Sequence, residues 1–330
     1  MTQITSKTAR NIITALTPLI EAKGLTANHL GTILSQHIGG SDAQGSWNWR
    51  QAYDLMQASA VVVVSNAIVN LRAKGASDQQ VLIMIEDITT ALPTETRRSE
   101  RQMMLQQFST PLTCSWVALC AAQLDRDDYL LEPSAGTGAF SSMASTVFGS
   151  NIIANEIDPL RSTILELAGA GGVTSHDAEF IDDLLPASVK PSVVVMNPPF
   201  ASSQSRSADP SIAMRHVIST AKRLEPRGRL VAVVPPSVCV ERQEALWARL
   251  MDRVTPVLRL KLPRSTFAKL GTSIETHILI ADKGIDGGYS FPEFECSSLQ
   301  HALEIIQSEL PKRQVVKKCC LLYTSPSPRD

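Results

Sequence analysis

Asn197-Pro198-Pro199-Phe200 follows directly on the apolar run Ser192-Val193-Val194-Val195-Met196. A run of β-branched residues stopped by Asn-Pro-Pro reads as a buried parallel strand that ends in a rigid turn. Two consecutive prolines have fixed φ and no N–H, so the carbonyls of Asn197 and Pro198 are held by the local chain. The Asn197 amide oxygen and the Pro198 carbonyl can then accept hydrogen bonds from one incoming amino group. Phe200 adds a flat face on which a planar base can stack. The plainer alternative is a proline-stopped strand with a buried Phe.

A second constellation lies upstream. Tyr129 to Phe140 reads YLLEPSAGTGAF, a short apolar strand, an acid, then a Gly-rich turn that runs into a helical pattern. Gly136 and Gly138 permit positive φ and let backbone N–H groups come close to a ligand. The third glycine of a dinucleotide fingerprint is absent, and no G-K-[ST] marks a phosphate loop. The run Asn151-Ile152-Ile153-Ala154-Asn155-Glu156-Ile157-Asp158-Pro159 predicts a second strand with carboxylates at its end, where acids accept from ribose hydroxyls in open α/β sheets. Gly172-Val173-Thr174 predicts a third strand, and Asp177 follows it. Taken alone, Asp177 reads as a helix N-cap.

In that order, EPSAGTGAF, the Glu156 strand end, Asp177 and NPPF resemble the S-adenosylmethionine-dependent amino-methyltransferases of the adenine-N6 class. The segment Gln106-Gln107-Phe108-Ser109-Thr110-Pro111 resembles the cofactor motif that precedes the Gly-rich loop in that class. More narrowly, the combination is similar to the methyltransferase region of bacterial strawberry-notch-like proteins, which join such a domain to a helicase. The resemblance covers roughly residues 96–285. It implies S-adenosyl-L-methionine as cofactor, with Thr110 and Pro111 at its methionine end. Glu132, Ser134, Ala135, Gly136 and Gly138 would wrap the amino acid moiety. Glu156 would take the ribose hydroxyls, Ile157 the adenine face and Asp177 the adenine amino group. Asn197, Pro198, Pro199 and Phe200 would be the catalytic set, acting on a base flipped out of DNA.

The elements that must position these residues are legible in outline. Helices alternating with apolar strands predict an α/β, doubly wound Rossmann-like methyltransferase sheet of seven strands, the last one antiparallel. Its later strands are expected at Gly228–Val234, Leu258–Leu262 and Ile274–Ala281. Pro111 opens an expected amphipathic helix carrying Trp116, Val117, Leu119 and Leu124. Residues 1–95 read as a helical N-terminal domain, with Ser77 and Gln80 a capping box for a helix running to Leu92. Trp47 and Trp49 are read as packed against neighbouring helices, with stacking on nucleic acid as the alternative. Residues 96–285 form the expected methyltransferase domain and 286–319 an appendage of a truncated chain. The last stretch, 320–330 (CLLYTSPSPRD), reads as adaptor-derived and is excluded from fold reasoning.

Composition bounds the function classes. The chain is 44% hydrophobic and 19% charged with net charge −1, as in a soluble globular protein, and its polar N-terminus predicts no signal peptide. The apolar stretch Ala58–Val69 is interrupted by Ser65 and Asn66 and reads as too short for a bilayer. A cytoplasmic location is expected, with no membrane partner. Six cysteines (Cys114, Cys120, Cys239, Cys296, Cys319, Cys320) make no C-x-x-C pair, so neither zinc nor a disulfide framework is expected. His216 is given no role. Between Gln204 and Lys269 stand 13 Lys or Arg against 5 Asp or Glu. A basic block after the NPPF turn suits a polyanion, and DNA is the expected partner. RNA adenine, a protein glutamine, or a non-catalytic cofactor-binding role beside a helicase stay open.

Overall fold

The computed structural model describes residues 4–95, 109–168, 172–200, 209–285 and 291–314. Four helices come first: α1 (Ser6–Glu21), α2 (Ala27–Ile38), α3 (Trp49–Arg72) and α4 (Asp78–Thr90). Their starts follow from capping chemistry. Asn48 with Gln51 and Ser77 with Gln80 both form reciprocal capping boxes, which satisfy N–H groups that a helix start leaves open. Trp47 is buried and donates to the Gly40 carbonyl, while Trp49 donates to Asp42. The two rings pack edge to face at 5.5 Å, which uses them inside the bundle.

The rest of the chain builds α5 (Leu112–Ala122), β1 (Tyr129–Glu132), β2 (Asn151–Asn155), α6 (Pro159–Leu167), β3 (Gly172–Thr174) and β4 (Val193–Met196). Then come α7 (Ile212–Arg223), β5 (Arg229–Val234), α8 (Val240–Met251), β6 (Thr255–Lys261), β7 (His277–Asp282), β8 (Glu293–Glu295) and α9 (Leu299–Glu309). One sheet runs in the order β3-β2-β1-β4-β5-β7-β6-β8. Strands β1 to β5 pair in parallel, and β7 is antiparallel to both neighbours. The seventh strand is antiparallel as expected, and the count of seven is corrected to eight by β8, which pairs in parallel with β6. Its sequence, Glu-Phe-Glu, is too short and too charged to give a strand signal.

Successive strand residues enter opposite cores, as a two-residue period demands. Leu130, Val193, Val195, Val231 and Val233 face one cluster, while Leu131, Val194, Met196, Leu230 and Ala232 face the other. This double burial is why the strands read as continuous apolar runs. The first cluster also takes in Leu16, Leu34, Leu55 and Ile85 from α1–α4 and Leu303 and Ile306 from α9. The N-terminal helices, the stretch after 285 and one face of the sheet thus share a core. The second cluster packs α7 and α8, with Met214, Val217 and Trp247, on the opposite face.

Two helices differ from the sequence reading. Helix α5 is not amphipathic: nine of its eleven residues are buried, because α4 and α9 cover the side turned away from the sheet. Helix α3 does reach bilayer-spanning length and apolarity, with 72% of its most apolar window buried inside the molecule. The chain switches sheet direction between β1 and β4, the adjacent central strands. In open α/β sheets that switch point opens a crevice at the strand C-termini.

Candidate active site

The first wall of the crevice is the turn after β1. Glu132, at the strand end, is 2% exposed and accepts the Ser141 N–H at 2.7 Å, holding the far end of the Gly-rich turn. Burial pushes its carboxyl up to about 8. Gly136 and Gly138 take φ of +55° and +87°. At Gly138 a Cβ would stand 2.5 Å from Ser142 Oγ and 3.0 Å from Leu165 Cδ2, so glycine is favoured there by φ and any side chain would have to displace those two groups. Ala135 donates to the Asn155 carbonyl at 2.9 Å, which ties the turn to β2.

The second wall is the end of β2. Glu156 is 6% exposed; Oε2 accepts the Gly136 N–H at 2.7 Å and Oε1 the Asp158 N–H at 2.8 Å. Burial raises its pKa, opposed by the Arg161 guanidinium and by those two N–H groups. Asn155 beside it was not singled out from the sequence, yet it organises three loops. Its amide nitrogen donates to the Pro133 and His176 carbonyls, and its oxygen accepts from Thr174 Oγ1 and the His176 N–H. All four hydrogen-bonding capacities of a buried amide are therefore used. The only sequence sign was an Asn at the mouth of an otherwise apolar strand.

Ile157 stands 60% exposed after β2, and Phe180 stands 51% exposed after β3. Large apolar side chains left open at the mouth of a polar crevice are fit to cover a planar ring. Phe180 had no recognisable signal, since an isolated Phe in a polar loop has no period. Asp177 is exposed and caps the turn at Ala178, accepting the Glu179 N–H at 3.0 Å. The capping reading is therefore observed.

The third wall follows β4. Pro198 and Phe200 are buried, while Asn197 and Pro199 are partly exposed. Asn197 Nδ2 donates to Thr110 Oγ1 at 3.0 Å. The two motifs, far apart in sequence, thereby meet at one contact. A cavity of about 290 Å³ opens beside Thr110, Pro111 and Thr137, walled by α3, α4 and the turn at 263–270. Ser134, Ala135, Gly136, Gly138, Glu132 and Glu156 belong to the first two walls, and Asp177 and Ile157 to their outer edge. Gln106, Gln107 and Phe108 lie outside the described residues, as do Cys319, Cys320 and the 320–330 stretch.

Six of the thirteen basic residues of the block are held in ion pairs. Arg229 pairs with Asp282 in the core, Arg215 with Glu179 and Asp209, and Lys222 with Asp182. Arg259 meets Glu293, Lys261 meets Glu295 and Arg264 meets Glu275. Counting charges along the chain therefore overstates the field that a polyanion would meet at this surface.

The architecture has counterparts among solved structures. A structure from Listeria monocytogenes assigned to the class I S-adenosylmethionine-dependent methyltransferases matches 93% of this chain and 100% of its own length. The identity is 10% and the TM-score 0.52. The fold is that of a class I methyltransferase. Weaker likenesses include a structure assigned as a type I restriction-enzyme modification subunit from Vibrio vulnificus. There the identity is 16%, the TM-score 0.45, and the match covers 67% of this chain and 52% of that one. The EcoKI M protein matches at 16% identity and TM-score 0.48 over 90% of this chain and 76% of its own. No protein-family model and no curated protein matches the sequence. The narrower likeness to strawberry-notch-like proteins, and the helicase it implied, find no support in these comparisons. Within the methyltransferase fold, the turns after β1 and β4 flank the switch-point crevice.

Proposed function

We propose that this chain transfers a methyl group from S-adenosylmethionine to the N6 amino group of adenine in DNA. The observation that carries the reading is the contact of Asn197 with Thr110 beside the glycine turn, at the crevice of a methyltransferase fold. The residues present suit the cofactor. Gly136 and Gly138 hold the turn in its positive-φ geometry, Glu156 stands where ribose hydroxyls would be held, and Ile157 and Phe180 offer apolar faces for the adenine. Glu132, Ser134, Ala135 and Gly136 would surround the amino acid moiety, with Thr110 and Pro111 at the methionine end and Asp177 at the adenine edge.

S-adenosylmethionine, when bound, supplies a methyl group on a sulfonium, from which transfer leaves a neutral thioether. What the chain contributes is orientation. The acceptor nitrogen is a poor nucleophile because its lone pair is delocalised into the ring. Asn197 Oδ1 and the Pro198 carbonyl accept its two hydrogens, draw it toward tetrahedral geometry and aim the lone pair at the methyl. These two acceptors would hold the nitrogen in place while it takes the methyl, after which the amine proton would pass to water. Phe200 stacks on the base, offsetting part of the roughly few kcal/mol needed to flip it out of the duplex. The cytoplasmic location belongs to this same proposal.

The test is incubation of the chain with methyl-labelled S-adenosylmethionine and, separately, unmethylated DNA, RNA and a protein extract. Label in DNA supports the reading. Label in RNA or protein alone moves the acceptor to another amine of the same chemistry, and no label with intact cofactor binding favours a non-catalytic role.

A further inference from the structure

Helix α3 carries Arg50, Asp54 and Gln57 at i, i+4 and i+7, which places them on one stripe. Each meets a different part of the crevice. Arg50 Nη2 lies 2.6 Å from Asp158 Oδ2, and Asp158 Oδ1 caps α6 through the N–H groups of Leu160 and Arg161. Asp54 Oδ1 accepts from Arg161 Nε at 3.0 Å and Nη2 at 2.8 Å. Gln57 Oε1 accepts from Thr137 Oγ1 at 3.3 Å, inside the glycine turn. Arg161 Nη1 in turn stands 3.9 Å from where a Cβ on Gly136 would be.

These charges are out of water. The side chains of Asp54 and Arg161 are 3% and 4% exposed, and those of Arg50 and Asp158 11% and 12%. Buried ion pairs are poor stabilisers, because desolvation cancels most of their attraction. A cluster of them at the start of α6, beside the carboxylate that holds the glycine turn, needs another reason to be there. Glu156 accepts the Asp158 N–H and feels the charges of Arg161, Asp158 and Glu132, while Arg50 and Asp54 of α3 reach it through their pairs with Asp158 and Arg161. Burial pushes the Glu156 pKa up, and the Arg161 charge is the first of the influences that oppose that rise.

We infer that Arg161, aimed by Asp54 of α3, is a positioning residue that holds Glu156 and the glycine turn for the ribose, so that the N-terminal helices set cofactor affinity. The inference rests on the cofactor reading above. Arg161 touches neither cofactor nor substrate; it acts through Glu156. Helix α3 is then a working wall of the crevice.

The experiment is calorimetric titration of the full chain with S-adenosylhomocysteine across the pH range in which carboxylates and histidines titrate, for wild type, Arg161→Gln and Asp54→Asn. Amide exchange of residues 134–138 is measured on the same proteins without ligand. Arg161→Gln should weaken binding about tenfold at neutral pH. It should also move the acid limb of binding to higher pH, because Glu156 loses its compensating cation. Asp54→Asn, nearly isosteric, should weaken binding without that upward move, since the Arg161 charge remains, and should speed exchange in the glycine turn. Wild-type affinity and an unmoved acid limb in a folded Arg161→Gln overturn the inference. Should that variant not fold, wild-type affinity and wild-type exchange in Asp54→Asn overturn it. No binding by wild type instead removes the cofactor reading, and the inference falls with it.

Discussion

Asn197 and Thr110, 87 residues apart, are joined by a single hydrogen bond of 3.0 Å from the Asn197 amide nitrogen to the Thr110 hydroxyl. That bond fixes which end of the amide is turned toward Thr110. An amide placed by a hydroxyl behind it can present its oxygen in one direction, which is what an orientation mechanism needs.

Thr110→Val keeps the shape of the side chain and removes the acceptor. Methyl transfer should slow by about tenfold, the worth of one well-placed hydrogen bond, while Thr110→Ser should stay near wild type. Steady-state rates at saturating cofactor check this. Equal rates for Val and Ser would separate Thr110 from the orientation of Asn197.

Gly136 and Gly138 should differ sharply when replaced by alanine. Both have positive φ, but a new Cβ on Gly136 would make only an ordinary contact with Arg161 Nη1 at 3.9 Å, whereas on Gly138 it would crowd Ser142 Oγ at 2.5 Å and Leu165 Cδ2 at 3.0 Å. Gly138→Ala should cost roughly 1–3 kcal/mol beyond the backbone penalty that the two share. Thermal denaturation of both variants measures the gap. Equal melting temperatures would contradict the packing described for the turn.

The buried Glu132 predicts a pH dependence of stability. Its carboxyl rises from 4.5 to about 8 in the folded chain, so the unfolded state releases the proton first. Stability is fully present below the unfolded value and is lost as pH rises through the folded one, by roughly a few kcal/mol. Glu156 shifts in the same direction and adds to the trend. Glu132→Gln keeps an acceptor for the Ser141 N–H and should flatten that decline, melting higher than wild type near pH 8 and not at pH 4. Melting curves across that range decide it.

Asn155 should be costly to remove. Asn155→Ala strands the carbonyls of Pro133 and His176 and the His176 N–H, a loss of about 2–4 kcal/mol. Urea unfolding measures the loss directly, and a change within about 0.5 kcal/mol, usual for surface positions, would contradict its role as the clip between loops.

Much of this was legible in the sequence because local chemistry fixed it. The Ser77–Gln80 capping box, the strands at Asn151–Asn155 and Val193–Met196 and the positive φ at Gly136 and Gly138 all depend on neighbours in the chain. What stayed hidden depends on residues far away. Helix α5 reads as amphipathic until α4 and α9 are seen to cover it. The thirteen basic residues after NPPF read as a surface until Asp282, Glu179 and Asp182 are seen to take three of them. Asn155 and the stripe on α3 are ordinary residues in sequence, and their partners give them their roles. The β8 strand is three residues, which leaves no period to read.

The central claim is that Asn197 orients an adenine amino group for methyl transfer. The most direct measurement is nucleoside analysis of unmethylated DNA incubated with S-adenosylmethionine and either wild type or Asn197→Ala, each first shown to bind cofactor equally. The account predicts N6-methyladenine with wild type and its loss by about two orders of magnitude or more in the variant. N6-methyladenine formed equally by both proteins would contradict it.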